Sequence, residues 1–308
     1  MTNTGFDHYQ GIIPPVLTPR TADGQVDVES LRHVTAHLVD GGVDGLFVLG
    51  SSGEVPYLTT AERDLVVGTV IDEAAGRVPV LAGANDQTTA RVVAEAERLH
   101  ALGIDALVVT TPYYALSNQS EVAEHFRTVR ARVDLPLFAY DVPVRTHVKL
   151  SATVIRELAE EGVIAGLKDS SGDDVAFRLI TLATEDLPQF RVFTGHEVVV
   201  DGALLGGAHG AVPGLANVDP AGYARLFAAA KAGDWMAARR EQDRLARLFR
   251  IVEVIDPQVS PGAAGLGAFK TALQLLGVIE SNRMSEPMRA LGAADTDRIR
   301  GILDEAGL

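Results

Sequence analysis

The sequence predicts a (β/α)8 barrel followed by a C-terminal helical extension, and three observations lead to this fold class. Eight short apolar runs, often β-branched and bounded by Gly, Pro or Asp, recur up to residue 213. Amphipathic stretches at helical spacing separate these runs, as in a parallel sheet covered by helices. No GxGxxG follows the first run, where Thr18-Pro19-Arg20 stands instead, so a doubly wound sheet is only the second choice.

The predicted elements follow one another in a regular order. The apolar runs predict strands over 12–17, 45–49, 78–82, 106–110, 135–140, 163–168, 191–194 and 210–213. The amphipathic stretches predict helices over 28–39, 60–74, 88–102, 120–132, 152–160, 174–184 and 198–205. Residues expected to cap helix starts are Asp27, Thr59, Asp86 and Ser151. Residues expected to turn the chain at helix ends are Gly41, Gly76, Gly103 and Gly162.

Beyond about residue 219 the pattern is helical only. Helices are predicted over 220–231, 234–254, 263–276 and 296–305. We therefore divide the chain into a barrel over 1–225 and a helical extension over 226–308. The extension is interpreted as an appended lobe or an assembly surface and not as a separate catalytic domain.

Composition and charge exclude several classes of function. The 308-residue chain has a net charge of −14, which disfavours binding to nucleic acid or to an anionic membrane. It contains no cysteine, which fits a cytoplasmic location and excludes cysteine-based zinc, iron–sulfur and thiol chemistry. No apolar run approaches the ~18 residues of a membrane-spanning helix. Residues 1–5 lack the basic and apolar regions of a signal peptide.

Lysine is rare in this sequence, and one lysine ends a predicted strand. Of the 27 basic residues 23 are arginine, and the four lysines are Lys149, Lys168, Lys231 and Lys270. The active site of such a barrel lies at the carboxyl ends of its strands, and Lys168 ends the sixth strand. Period-two alternation places Ile164, Gly166 and Lys168 on one face of that strand.

A lysine on the interior face would be suited to covalent catalysis. Burial disfavours the ammonium form and favours a neutral amine, which is a nucleophile toward carbonyl carbon. Tyr140 ends the fifth strand at the matching height, where its phenol could carry protons during imine formation. The alternatives are a Lys168 that faces solvent or pairs with Asp169, and a Tyr140 that bonds to backbone at the barrel rim.

Two other segments offer groups for binding anions. In Gly50-Ser51-Ser52-Gly53-Glu54, after the second strand, two glycines and two hydroxyls could hold a carboxylate if Glu54 turns away. Arg145 could hold a second carboxylate bidentately. A plain connecting loop and a surface arginine are the alternatives. His196-Glu197, after the seventh strand, could bind a metal or contact substrate, although such a step is more often structural.

At these residues the chain resembles the dihydrodipicolinate synthase / N-acetylneuraminate lyase family, over about residues 11–277. Tyr140 and Lys168 are 28 residues apart, as the family pattern requires. The matching segments are residues 15–19, 50–54, 111–114, 140–143 and 166–169. The resemblance implies a (β/α)8 barrel, usually a homotetramer of two tight dimers, and a lysine that forms an imine with pyruvate or another 2-oxo acid. It implies no metal or other cofactor, because the imine itself carries the chemistry.

The resemblance also implies a role for each matching residue. Lys168 would form the imine, with Tyr140 as proton shuttle and Ser51 as proton relay. Ser52 and the N–H groups of its loop would hold the carboxylate of the 2-oxo acid. Tyr114 would reach into the site from the partner subunit. Val212 would line the pyruvate pocket, Arg145 would hold the carboxylate of the second substrate, and Gly195 would also contact substrate.

Departures from the synthase pattern decide the preferred substrate. Ser51-Ser52 replaces two threonines, Gly195-His196-Glu197 replaces Gly-Asp-Asp, and Val212-Pro213-Gly214 replaces Ile-Ser-Val. Residues 166–170 are more similar to aldolases acting on 4-hydroxy-2-oxo acids. We therefore favour a catabolic aldolase or dehydratase acting on an acidic 2-oxo or 2-keto-3-deoxy acid of the 4-hydroxy-2-oxoglutarate type.

Three alternatives stay open. The first is a 4-hydroxy-tetrahydrodipicolinate synthase that condenses pyruvate with aspartate semialdehyde, because Arg145 matches the arginine that holds the aldehyde's carboxylate. The second is a metal-dependent barrel enzyme using Asp141, Asp169, His196 and Glu197, although no closely spaced His pair occurs at a strand end. The third is a non-catalytic barrel module.

Overall fold

Eight parallel strands form one sheet that curls into a barrel in the computed structural model, which describes residues 9–308. The prediction about a signal peptide in residues 1–5 therefore lies outside the described residues. The sheet has the order β1-β8-β7-β6-β5-β4-β3-β2. The strands are β1 (Gly11–Ile12), β2 (Leu46–Val48), β3 (Val80–Gly83), β4 (Ala106–Thr110), β5 (Leu137–Asp141), β6 (Gly166–Asp169), β7 (Arg191–Thr194) and β8 (Gly210–Ala211).

The segment after β1 closes the barrel against β2. The Phe47 N–H donates to the Pro14 carbonyl at 2.9 Å, and the Val16 N–H donates to the Phe47 carbonyl at 2.8 Å. The predicted strand over 12–17 is therefore in place, but its ladder ends at Ile12. Pro14 and Pro15 cause the interruption, because proline has no N–H to donate.

Helices follow the strands, and most predicted bounds are within two residues of the observed ones. α5 and the 3₁₀ turns over Val55–Tyr57 and Gly214–Asn217 were not predicted, and part of the long helix predicted over 234–254 is a 3₁₀ turn, Phe249–Val252. The α-helices are α1 (Val28–Asp40), α2 (Thr60–Ala74), α3 (Thr89–Ala101), α4 (Gln119–Arg130), α5 (Pro143–Thr146), α6 (Ala152–Glu160), α7 (Asp174–Ala183), α8 (Val200–Leu205), α9 (Pro220–Lys231), α10 (Trp235–Leu248), α11 (Pro261–Leu275) and α12 (Ala293–Ala306).

Local capping explains where several helices begin and end. Asp27, Thr59 and Ser151 cap α1, α2 and α6 as predicted. The prediction for Asp86 is wrong, because Thr88 caps α3 and the Asp86 carboxylate instead binds the Arg91 guanidinium at 2.7 Å.

The prediction that Gly41 turns the chain is also wrong. Gly41 has φ −72°, and the left-handed residue after α1 is Gly42, with φ +84°. Gly41 has a packing role, since a Cβ there would collide with the ring of Pro220. The other three predicted glycines, Gly76, Gly103 and Gly162, have positive φ.

Two apolar clusters form the core, one inside the barrel and one between the sheet and its helices. The residues Ile13, Phe47, Phe138, Phe193 and Val212 belong to the inner cluster. The prediction that Ile164 shares the face of Lys168 is wrong, because Ile164 packs in the outer cluster. Regular alternation begins only at Gly166, where β6 starts.

The C-terminal helices pack together beyond the barrel. α10 packs against α9 and α12, and α11 packs against α12. The division at residue 225 stays a prediction, and it falls within α9. Over the described part of the chain, no helix combines the length and apolar character needed to cross a membrane.

Candidate active site

Lys168 and Tyr140 meet at the carboxyl ends of two adjacent strands. The parallel register of β5 and β6 pairs Tyr140 with Lys168. Both side chains are buried, with 5% of Tyr140 and 6% of Lys168 exposed. Lys168 Nζ lies 4.1 Å from the centroid of the Tyr140 ring and 4.7 Å from that of Phe47. The structure therefore places this amine inside the barrel, beside a phenol.

Glycine below the lysine makes room for this arrangement. A Cβ on Gly166 would lie 2.6 Å from the Phe138 ring, so a larger residue would displace the aromatic wall. The alternative pairing of Lys168 with Asp169 does not occur. Asp169 instead pairs with Lys149, whose Nζ lies 3.3 Å from its carboxylate.

The Tyr140 phenol is made more acidic by its neighbours. Burial alone would raise its pKa, but the charge of Lys168 and hydrogen bonds with the side chains of Ser51, Ser170 and Lys168 outweigh this effect and lower the pKa. A phenol with a lowered pKa loses and regains a proton more readily near neutral pH. The side chains of Ser51 and Lys168 thus lie beside the Tyr140 phenol and act on its pKa.

Ser170 also lies beside Tyr140, although the sequence predicted no role for it. Its hydroxyl occupies space next to Gly195, where any Cβ would collide with Ser170 Oγ. Gly195 also donates its N–H to the Asp169 carbonyl at 2.7 Å. Gly195 therefore acts in this structure by leaving room for the Ser170 side chain at the end of β6.

A cavity of about 210 Å³ opens above Tyr140. Ser51 and Arg145 line it, as do Tyr113 and, from the C-terminal extension, Leu266 and Met288. Arg145 lies on α5, with its guanidinium 3.6 Å from the position of a Cβ on Gly262. Val212 lies deeper and borders, together with Lys168, a narrow apolar void within the barrel.

The 50–54 loop is held so that its acid points away from its hydroxyls. Glu54 is fully buried, pairs with Lys270 and accepts the Ser285 N–H at 2.8 Å. Ser51 and Ser52 are only partly buried. The condition that Glu54 turns away is therefore met, because its carboxylate contacts Lys270 and Ser285 and not the two hydroxyls.

Tyr114 does not join the cavity of its own chain. Its side chain is 88% exposed and its backbone has φ +77°, which is unfavourable for a residue with a Cβ. The preceding residue, Tyr113, is the one that lines the cavity. Of the eight predicted site residues, Ser51, Tyr140 and Arg145 line the cavity and Lys168 and Val212 border the void below it, whereas Ser52, Gly195 and Tyr114 line neither.

The acidic residues of the metal-site alternative have other partners. Asp141 and Asp169 both contact Lys149, and burial raises the pKa of Asp141 to about 6. Glu197 accepts the Gly214 N–H at 3.1 Å. Within residues 9–308, no three His, Cys, Asp or Glu side chains converge as metal ligands would.

A (β/α)8 barrel with a buried lysine beside a phenol at its strand ends is the architecture of class I aldolase-type lyases. Comparison with known proteins agrees with this class. Residues 8–306 match the model of the dihydrodipicolinate synthetase family, and the chain belongs to that family. The protein is therefore an enzyme, a carbon–carbon or carbon–oxygen lyase of the class I aldolase type.

Similar proteins cover nearly the whole chain. A DapA-like lyase of Halobacterium salinarum is 35% identical over 298 residues, covering 97% of this chain and 94% of the relative. The 4-hydroxy-tetrahydrodipicolinate synthase of Roseobacter denitrificans is 33% identical over 300 residues, covering 97% of both.

Among solved structures, one similar protein is YagE, a prophage protein of the dihydrodipicolinic acid synthase family from E. coli K12, in complex with pyruvate. The TM-score is 0.91 at 28% sequence identity, and the match covers 97% of this chain and 99% of YagE. A monomeric dihydrodipicolinate synthase variant has a TM-score of 0.90 at 25% identity, with 98% of each chain covered.

Proposed function

We propose that the protein is a Schiff-base-forming lyase that acts on 2-oxo acids, with Lys168 as the nucleophile. The observation that carries this proposal is the position of Lys168 Nζ, which is buried and lies 4.1 Å from the ring centroid of the Tyr140 phenol. The pyruvate complex of YagE supports pyruvate as the 2-oxo acid.

Imine formation would use the side chains of Lys168, Tyr140 and Ser51. Lys168 Nζ attacks the C2 carbonyl carbon, and the carbonyl oxygen leaves as water. Overall, the amine, the ketone and one proton from Tyr140 give a protonated imine, one water and the Tyr140 phenolate. Ser51 would relay protons to and from Tyr140. This chemistry uses the lysine itself and requires no metal or other cofactor.

The protonated imine then accepts electrons from a breaking bond. In the aldolase direction, the phenolate takes the proton of the 4-hydroxyl, the C3–C4 bond breaks and its electrons form an enamine. The aldehyde leaves, C3 gains a proton, and water releases pyruvate and the free amine of Lys168. In a dehydratase, loss of a C3 proton and of the 4-hydroxyl as water replaces bond cleavage.

The preferred substrate is an acidic 2-oxo or 2-keto-3-deoxy acid of the 4-hydroxy-2-oxoglutarate type. Ser52 and the N–H groups of its loop would hold the carboxylate next to the carbonyl. Arg145, which lines the same cavity, offers a cation to a second carboxylate at the far end of the substrate. The departures at 195–197 and 212–214 favour this catabolic function.

The second candidate is condensation of pyruvate with aspartate semialdehyde. The name of the Roseobacter relative and the position of Arg145 support it. Measuring the pyruvate concentration with a panel of 2-oxo acids, with and without aspartate semialdehyde, distinguishes the catabolic function from the synthase function. Pyruvate release from a 4-hydroxy-2-oxo acid is expected, whereas rapid pyruvate consumption only with aspartate semialdehyde would favour the synthase.

We also propose a homotetramer of two dimers, with Tyr114 completing the partner's site. The exposed side chain and left-handed backbone of Tyr114 support the dimer. Val175, Leu179 and Leu182 are exposed at i, i+4 and i+7 on α7, which supports a second contact between copies. A cytoplasmic location stays a prediction from the composition.

The second contact is tested with Leu179→Asp. Light scattering should give a tetramer for the original protein and a dimer for the variant, because a carboxylate would be buried in the contact. A variant that stays tetrameric, or an original protein that is monomeric like the synthase variant among the solved structures, would contradict this assembly.

The lyase proposal is tested by trapping the imine. Borohydride added with pyruvate should raise the intact mass by one pyruvic acid, less one water and plus two hydrogens. Lys168→Met should abolish this adduct, whereas Lys231→Met, which removes a lysine near Phe227 on the outer helix α9, should retain it. No adduct in the original protein, or an adduct that persists in Lys168→Met, would overturn the proposal.

A further inference from the structure

A buried ion pair joins the 50–54 loop to the C-terminal extension. Glu54 and Lys270 are both fully buried, and their charged groups are in contact. Lys270 Nζ also donates to the Arg283 carbonyl at 3.0 Å, and Glu54 Oε2 accepts the Ser285 N–H at 2.8 Å. The pair thus connects the loop to α11 and to the segment after it.

The loop needs this support, because the backbone is unfavourable at the residue just before it and at its last residue. Leu49 has φ +55° and Glu54 has φ +58°, a region that residues with a Cβ rarely adopt. Such conformations persist only where the surroundings hold them. Ser51 and Ser52 lie between these two positions. A further hydrogen bond, from Thr18 Oγ1 to the Gly53 carbonyl at 2.8 Å, joins the loop to the segment that follows β1.

The burial and charge of Glu54 and Lys270 also indicate that the pair positions the loop. A buried ion pair gives little net stability compared with apolar residues of similar size, but its directed bonds fix a geometry. Burial lowers the pKa of Lys270 and the charge of Glu54 opposes that shift. The Glu54 carboxylate belongs to the loop but is bonded away from Ser51 and Ser52. Its negative charge therefore lies away from the position where the carboxylate of a substrate would bind.

We propose that Glu54 and Lys270 are positioning residues, through which the C-terminal extension holds Ser52 and the N–H groups of its loop in the conformation that binds the carboxylate of the 2-oxo acid. This inference rests on the proposed lyase function. It assigns the extension a part in substrate binding, in addition to the residues that it contributes to the cavity wall.

The decisive variant is Glu54→Gln/Lys270→Met. It removes both charges, and glutamine keeps an acceptor for the Ser285 N–H. Lys270→Met alone would leave a buried carboxylate unpaired and could unfold the protein. The matched control is Asp219→Asn/Arg244→Met, which removes a second ion pair that joins α9 and α10, outside the loop, while asparagine keeps the helix cap.

Borohydride trapping as a function of pyruvate concentration gives the readout. In the loop variant, the pyruvate concentration that gives half-maximal trapping should rise by about tenfold or more, as expected for weakened hydrogen bonds to a carboxylate. The trapping rate at saturating pyruvate should fall by a smaller factor, since Lys168 and Tyr140 are untouched and only the proton relay from Ser51 is disturbed. The control should match the original protein in both quantities.

The outcomes separate this inference from the proposed function. Half-maximal trapping at the original pyruvate concentration, or an equal rise in the control, would overturn the positioning role while the lyase proposal stands. No trapping in the original protein would overturn the lyase proposal and this inference with it.

If the double variant does not fold, the Glu54→Asp variant tests the inference instead. It keeps the charge but shortens the side chain, so a raised half-maximal concentration supports the inference and an unchanged one overturns it.

Discussion

Two buried lysines in this protein have opposite surroundings, and the contrast shows how neighbours decide what a lysine does. Lys270, in the C-terminal extension, is paired with the carboxylate of Glu54. Lys168, at the mouth of the barrel, lies against the rings of Phe47 and Tyr140. A carboxylate holds an ammonium in place as a structural cation, whereas a phenol can exchange a proton with an amine. Burial alone therefore does not identify the reactive lysine.

The contrast between Lys270 and Lys168 should be largest in the free energy of unfolding of two matched variants. Lys270→Met leaves Glu54 buried without its partner and should lower the free energy of unfolding by about 3–5 kcal/mol. Lys168→Met places an apolar side chain among apolar walls and should change it by less than about 1 kcal/mol. Urea unfolding of both variants measures the difference. Equal losses of stability would contradict the division into a structural and a reactive lysine.

The reactivity that we assign to Lys168 depends on proton transfer by Tyr140. Tyr140→Phe keeps the ring but removes the proton, and should lower turnover by roughly 10²–10³-fold. Because the pKa of Tyr140 is lowered from its ordinary value of 10.0, the rate of the original protein should change with pH at a value below 10.0. That change should be missing from the pH profile of the variant. A profile and turnover that match the original protein would remove Tyr140 from the chemistry.

The smallest effect is expected at the rim of the cavity. Arg145→Ala should raise the half-saturating concentration of a substrate with a distal carboxylate by roughly 10–100-fold, the value of hydrogen bonds to a charged group. Neutral aldehydes should be used as before. Arg239→Ala, at an exposed arginine on α10, is the control. Equal losses of activity with acidic and neutral substrates would show that Arg145 does not bind the distal carboxylate.

Much of the fold could be predicted from the sequence, because its signals are local. The bounds of β4 and β7 and of α2, α6 and α9 match the prediction, since apolar periodicity and caps determine them. The juxtaposition of Tyr140 and Lys168 could also be predicted, because parallel strands bring their carboxyl ends to the same edge.

What the sequence did not predict depends on contacts between distant segments. Glu54 meets Ser285 across 231 residues, so nothing in the 50–54 loop indicates its partner in the extension. Lys149 bonds both Asp141 and Asp169, which removes Asp169 as a partner for Lys168. Ser170 follows the strand end without any local pattern, and only the packing against Gly195 places it beside Tyr140.

The central claim is that one lysine among four carries the imine. It is tested most directly by reducing the protein with borohydride in the presence of pyruvate, digesting it and locating the added mass by peptide sequencing. The account predicts the adduct on Lys168. An adduct on Lys149, Lys231 or Lys270, or one spread over several lysines, would contradict it.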